Sequence, residues 1–130
     1  MDKLNLPAFE PKICEQNGKI CIFDTIRKKW VAFTPEEMVR QHFVNYLVEY
    51  KMYPMSHIAN ESSITVGNVK KRCDSVLYNK SGKPKVIVEY KAPSVKITNE
   101  VFAQISRYNI ALRVDYLIVS NGVNHYCVKV

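Results

Sequence analysis

Blocks of apolar residues separated by polar segments predict an order of strands and helices along the chain. Two short apolar runs, residues 20–23 and 30–33, flank a polar stretch and predict two strands around a turn. Thr34, followed by Pro35 and by Glu37 three positions later, is typical of a helix start. We expect this helix to reach about residue 52. Its predicted buried face recurs at three- and four-residue spacing: Val39, Phe43, Tyr46, Leu47 and Tyr50.

The second half of the chain predicts more strands and one further helix. A strand-like pattern from residue 58 ends at the Gly67-Asn68 turn. Residues 72–78 and 85–91 form a predicted hairpin around the turn formers of 79–84. The remaining predicted elements are a helix over 99–112 and strands over 116–119 and 125–130.

This order predicts the fold class. Residues 1–19, with two early prolines, are expected to be an N-terminal extended arm, and residues 20–130 a single domain. At 130 residues and 47% hydrophobic content, the chain can bury a core of its own. A hairpin, a helix, three strands, a helix and two strands predict an α/β or α+β fold, in which helices flank a mixed β-sheet.

The charge and the cysteines narrow the function classes. Nineteen Lys and Arg against twelve Asp and Glu give a net charge of +7, which favours a polyanionic partner, with DNA or RNA as the first candidate and an acidic protein surface as the second. The four cysteines include no CxxC pair, which argues against a zinc knuckle. The N-terminus has no signal-peptide core and no segment is apolar enough to span a membrane, so we expect a cytoplasmic protein.

The predicted hairpin brings chemistry-bearing residues together. If its strands pair symmetrically about the turn, Asp74 lies opposite Glu89. Lys91, two residues after Glu89, projects from the same face. Two adjacent carboxylates are unfavourable without a positive charge between them, and a hard divalent cation such as Mg²⁺ is the usual solution. The competing interpretation is a solvent-facing salt-bridge cluster, which the apolar run of residues 86–88 beside the charges disfavours.

Several blocks of sequence resemble a known family in the right order. Asp74 followed by Glu89 and Lys91 resembles the motif of the PD-(D/E)xK nuclease superfamily. The similarity extends to the N-terminal nuclease domain of type I restriction enzyme R proteins over about residues 20–130. It is carried by the blocks FDTIRKKWVAFTPEEMVRQ, KKRCDSVLYNKSGKP, EYKAPSVKIT, QISRYN and SNGVNHYC.

The resemblance implies a restriction-endonuclease-like fold and roles for individual residues. Asp74 and Glu89 would bind Mg²⁺, with Mn²⁺ as a substitute, and Lys91 would be the catalytic lysine. Gln104 and Tyr108 match a Gln-x-x-x-Tyr motif that contacts DNA beside the site in related nucleases, whereas by spacing alone Tyr108 could be core and Gln104 surface. Glu37 matches a glutamate that completes the metal site, but it also stands where a capping box would close.

Basic residues around the motif predict contacts with the DNA backbone. We expect Arg72, Lys71 and Arg107 to neutralise phosphates, although scattered basic residues more often form a solvated face. Two departures from the family pattern stand out. Cys73 occupies the position of the proline in the superfamily motif, and the chain contains no G-x-x-x-x-G-K-[ST] motif, so ATP-driven translocation is not expected of this chain alone.

The sequence thus predicts a Mg²⁺-dependent DNA endonuclease domain. The alternatives are a catalytically silent nucleic-acid-binding module with the same fold and a plain interaction domain. Helicase or specificity subunits of a restriction system are the expected partners, and a homodimer stays open.

Overall fold

A computed structural model of the chain describes residues 3–110 and 113–130, without the side chains of Val66 and of residues 108–110. Within these residues the chain forms a small three-stranded sheet, a five-stranded sheet and two α-helices. The predicted α+β fold, with a mixed sheet flanked by helices, is confirmed.

The small sheet contains the two strands predicted around the 24–29 turn and one more. Strand β1 (Ile13–Gln16) pairs with β2 (Lys19–Asp24), which pairs with β3 (Lys29–Ala32), all antiparallel. Strand β1 lies in the segment predicted only as an extended arm. Asp24 ends β2 fully buried, and its Oδ1 accepts the backbone N–H groups of Ile26 and Arg27 at 2.8 and 2.9 Å. The aspartate side chain thereby closes the turn.

Helix α1 (Pro35–Glu49) begins as predicted and ends three residues early. Thr34 is the N-cap, and its Oγ1 accepts the backbone N–H of Glu37 at 3.0 Å. Val39, Phe43 and Leu47 are buried as predicted. Tyr50 was predicted on the buried face but follows the last helical residue and is 58% exposed, because the chain turns away after Glu49.

The five-stranded sheet has the order β4-β5-β6-β7-β8; in the part of the chain that the structure describes, β6 and β7 pair in parallel and the other neighbours pair antiparallel. Helix α2 (Asn99–Ile110) connects that parallel pair, and residues 111–112 of the predicted helix lie outside the described residues. A 3-10 turn, Met55–His57, precedes the sheet. The strands are β4 (Ile58–Val66), β5 (Val69–Tyr78), β6 (Pro84–Tyr90), β7 (Tyr116–Ser120) and β8 (His125–Lys129).

The five-stranded sheet has a hydrophobic core on each face. Val86 and Val88 of β6 pack with Phe43 of α1 on one face, whereas Ile87 packs in the second cluster with Leu117. Phe102 and Ile105 of α2 cover that second cluster. Because side chains alternate along a strand, Glu89 lies on the same face as Ile87, beside α2. In residues 3–110 and 113–130, no helix combines the length and the apolar character needed to cross a membrane.

Candidate active site

The hairpin of β5 and β6 carries the predicted acidic pair. Val76 and Leu77 pair with Ile87 and Val86 in the predicted register, and a bulge at Leu77 and Tyr78 shifts only the turn end. One step beyond the Ser75 and Val88 pair, the backbone N–H of Tyr90 donates to Asp74 Oδ2 at 2.9 Å. Asp74 and Glu89 therefore lie side by side at the end of the paired region.

Glu89 occupies an environment that disfavours its charge. Its side chain is 13% exposed. Burial, followed by the neighbouring Asp74 carboxylate, raises the pKa of Glu89 to about 7. Lys71 counteracts part of this shift, since its Nζ lies 3.4 Å from Glu89 Oε1. The pair is thus short of positive charge, which a bound cation would supply.

Lys91 lies beside the pair at the end of β6. Its backbone N–H donates to the Ser120 carbonyl oxygen at 2.8 Å, which ties the residue to the end of the parallel strand β7. Its half-buried side chain lines two cavities that meet at Glu89 and Lys91. The parallel pairing of β6 and β7 therefore fixes where the lysine leaves the sheet.

The two cavities differ in chemical character. We call the first, of about 480 Å³, the basic groove; besides Glu89 and the apolar residues of α2, it is lined by Lys70, Lys71, Arg72, Lys91 and Gln104. We call the second, of about 490 Å³, the acidic cleft; its acidic lining residues are Glu36, Glu37, Glu61, Asp74 and Glu89. A cavity with a carboxylate-rich lining thus adjoins one with a basic lining.

Glu37 lies in the acidic cleft, but its carboxylate is occupied by protein cations. Arg40 Nη2 lies 2.6 Å from Oε1 and Arg40 Nε 2.8 Å from Oε2, and Arg27 Nη2 lies 2.9 Å from Oε1. Burial opposes ionisation, yet hydrogen bonds from Arg40 and Gln41 leave the pKa of Glu37 below its usual value. Thr34 forms the N-cap half of the predicted capping box. The other half would need the Thr34 N–H to donate to the Glu37 carboxylate, but this N–H donates to the Ala32 carbonyl oxygen. The predicted metal role of Glu37 stays a prediction.

Arg40 is a site residue that sequence reasoning missed. Its Nη1 donates to the main-chain carbonyl oxygen of Asp74 at 2.8 Å, while Nη2 also lies 3.3 Å from Glu61 Oε1. Burial would lower the pKa of Arg40, but the bonds and charge of Glu37 raise it. The available signal was its position three residues after Glu37 on a helix, the spacing of an ion pair. Arg40 therefore holds the backbone of Asp74 in place through its carbonyl oxygen.

A second buried network supports the same strands. Asn60 Nδ2 donates to Asp24 Oδ2 at 3.1 Å, Ser75 Oγ donates to Asn60 Oδ1 at 2.7 Å, and Tyr90 OH donates to Ser75 Oγ at 2.9 Å. These residues belong to β2, β4, β5 and β6 in turn. The small sheet is therefore joined to the acidic pair through satisfied buried hydrogen bonds.

The donor set fits a hard divalent cation. Asp74 and Glu89 offer carboxylate oxygens, and Mg²⁺ is commonly held by one or two carboxylates together with water and phosphate oxygens. Among residues 3–110 and 113–130, no cluster of three or more His, Cys, Asp or Glu side chains is arranged to hold a metal. The two carboxylates would therefore need the substrate and water to complete a coordination shell.

The predicted DNA-contacting residues are only partly gathered at the site. Lys71, Arg72 and Gln104 line the basic groove. Arg72 reaches back to Glu61 Oε2 at 3.2 Å. Arg107 is exposed on α2 without lining either cavity, and the side chain of Tyr108 lies outside the described residues.

Comparison with known proteins identifies a family for most of the chain. Residues 35–130 match the family described as "Type I restriction enzyme R protein N terminus (HSDR_N)". A search of the curated proteins found no match. Among solved structures, the chain is similar to a protein from Anabaena variabilis described as a "putative nuclease belonging to DUF820". The identity is 12%, the TM-score is 0.43, and the alignment covers 96% of this chain and 80% of the other.

Proposed function

Because the chain belongs to the family of type I restriction enzyme R protein N-terminal domains, we propose that it is a divalent-metal-dependent nuclease that hydrolyses phosphodiester bonds in DNA. The observation that carries this proposal is the meeting of the acidic cleft and the basic groove at Glu89 and Lys91. A nuclease needs a cation site and a phosphate-binding surface within reach of one scissile bond; the carboxylates of the acidic cleft and the basic side chains of the basic groove support these two roles.

Asp74 and Glu89 are the residues that would hold the cation. The raised pKa of Glu89 supports this assignment, because a buried carboxylate beside a second one is costly to ionise without a cation. Bound Mg²⁺ or Mn²⁺ would supply Lewis acidity at a phosphoryl oxygen and a lowered pKa for a water.

The chain's own residues orient the substrate. Lys70, Lys71 and Arg72 place positive charge along the basic groove, where they would bind DNA phosphates without regard to sequence. Lys91 lies where the groove meets the acidic pair, so its ammonium group would stabilise negative charge at the reacting phosphate or orient the attacking water. Gln104 on α2 lines the same groove, and its side-chain amide would donate a hydrogen bond to the DNA backbone.

A specific observation favours a second candidate, a catalytically silent nucleic-acid-binding module. Lys71 lies 3.4 Å from Glu89 and partly neutralises it without any metal. A protein that only binds DNA could keep this ion pair permanently. The two candidates differ in whether a divalent cation binds at Asp74 and Glu89.

The family also suggests partners. Type I restriction enzyme R proteins act in restriction systems, so we propose that helicase and specificity subunits deliver DNA to this domain.

The test is cleavage by the purified chain on supercoiled, linear and single-stranded DNA with Mg²⁺ or Mn²⁺. We expect metal-dependent nicking that Lys91→Ala lowers by about 100-fold or more, the usual loss when a catalytic proton-transfer or charge-stabilising group is removed. The matched control is Lys85→Ala, which removes an exposed lysine at the opposite end of β6 and should cut at the wild-type rate.

Two results would reject the nuclease assignment. Equal cutting by the wild type and Lys91→Ala would point to a contaminating enzyme. Absence of cutting on all three substrates, together with absence of Mn²⁺ binding in calorimetry, would leave the silent module as the function.

A further inference from the structure

Lys71 contacts Glu89 of the acidic pair and also lines the basic groove. On the basis of the proposed function, we propose that the Lys71 ammonium group neutralises Glu89 in the metal-free protein. When a divalent cation binds, this group moves away from Glu89 and contacts a DNA phosphate. Lys71 would thereby couple the binding of metal to the binding of DNA.

The Lys71 ammonium group lies beside the Glu89 carboxylate. Nζ of Lys71 lies 3.4 Å from Glu89 Oε1 and 2.9 Å from the Arg72 carbonyl oxygen. The side chains of Lys71 and Glu89 are 20% and 13% exposed, so solvent screens their interaction less than at an open surface. The ammonium group therefore lies at the carboxylate that a metal ion would need.

A divalent cation at the acidic pair would repel the Lys71 ammonium group. A divalent cation held by Asp74 and Glu89 would stand within a few ångströms of the Lys71 ammonium group, and like charges at that distance repel strongly in a partly buried site. The Glu89 carboxylate carries one negative charge, so it cannot fully neutralise both the Lys71 ammonium group and the divalent cation. Metal binding would therefore weaken the contact between Lys71 and Glu89.

A DNA phosphate in the basic groove would be the next partner of the released ammonium group. Lys71 lines the basic groove beside Lys70 and Arg72, where phosphates would lie. Lysine is a compact point charge on a flexible four-carbon chain, so it can exchange one anionic partner for another without movement of the backbone. Because coupling is reciprocal, a phosphate that takes up Lys71 should favour metal binding just as the metal favours DNA.

The first arm of the test measures Mn²⁺ binding by calorimetry. Lys71→Gln removes a competing cation, and we expect it to tighten Mn²⁺ binding by about fivefold to tenfold, the scale of one nearby charge in a half-buried site. Lys70→Gln removes the same charge from the adjacent residue of the same groove, and its affinity should change by less than about twofold. Lys71→Arg keeps the charge and should stay near the wild-type value.

The second arm measures DNA binding to a labelled duplex in a Lys91→Ala background, so that the DNA stays intact during the titration. Mn²⁺ should raise DNA affinity when Lys71 is present and raise it less in Lys71→Gln. The salt dependence in the presence of metal should fall by about one phosphate contact in Lys71→Gln. Melting curves of each variant show whether the fold is retained.

The outcomes separate this inference from the proposed function. Wild-type Mn²⁺ binding that Lys71→Gln leaves unchanged or weakens would overturn the exchange while the metal site stands. An equal gain in Lys70→Gln would reduce the effect to general charge and also overturn the exchange. Absence of Mn²⁺ binding in every variant would overturn both proposals.

Discussion

Replacing Glu89 by glutamine should stabilise the metal-free protein while removing metal binding. The raised pKa means that the folded protein holds the Glu89 proton more tightly than the unfolded chain does. Stability associated with this proton is therefore complete below the unfolded pKa and is lost as the pH rises from about 4.5 to about 7. Above that range the ionised carboxylate destabilises the fold.

The pKa difference sets the size of the effect. A rise from 4.5 to about 7 corresponds to about 3 kcal/mol at high pH, because one pKa unit is about 1.4 kcal/mol. Glutamine keeps the shape of the side chain without the charge, but its amide must find buried partners, which costs part of the gain. We expect Glu89→Gln to raise the free energy of unfolding by about 1 to 3 kcal/mol near pH 8 and by much less near pH 5.

Urea denaturation at the two pH values, with and without Mn²⁺, measures both consequences. Near pH 8, Mn²⁺ should stabilise the wild type through linkage and leave Glu89→Gln unchanged. The control is Glu15→Gln on the exposed strand β1, which should change stability little at either pH. If Glu89→Gln destabilised the protein equally at both pH values, the reasoning about charge crowding would be refuted.

The remaining predictions concern metal affinity, the arginine network and the core. If a cation replaces the proton of Glu89, Mn²⁺ affinity measured by calorimetry should fall about tenfold from pH 8 to pH 6, and an unchanged affinity would exclude Glu89 as a ligand. Glu37→Gln and Arg40→Met should each lower the free energy of unfolding, measured by thermal unfolding, by about 3 kcal/mol. The double variant should lose clearly less than the sum of the two single losses, and strict additivity would contradict the buried pairing. Ile87→Ala, in the fully buried centre of β6, should lower the free energy of unfolding in urea by about 3 to 4 kcal/mol. The control Ile20→Ala, at an exposed position, should lower it by less than about 0.5 kcal/mol. Similar losses in the two variants would refute the assigned burial.

Local patterns in the sequence determined most of the elements. The Thr34-Pro35 start and the apolar spacing after it are sufficient to predict α1, since capping and helical periodicity are properties of neighbouring residues. Likewise, the turn formers between β5 and β6 set the register that brings Asp74 beside Glu89, even though a bulge displaces Tyr78. Strand β1 escaped prediction because its pairing with β2 gives it order that its own residues do not signal.

Only the tertiary structure decided how the site residues are shared among partners. Glu37 carries the same sequence signal whether it binds a metal or an arginine. The packing of α1 against the five-stranded sheet is what brings Arg40 between Glu37 and the backbone of Asp74. Similarly, residue spacing along a strand does not predict that Lys71 of β5 forms an ion pair with Glu89 of β6. The sequence by itself determined which charged groups are present and on which elements. Their partners depend on distances between elements remote in the chain, which only the folded sheet and helices set.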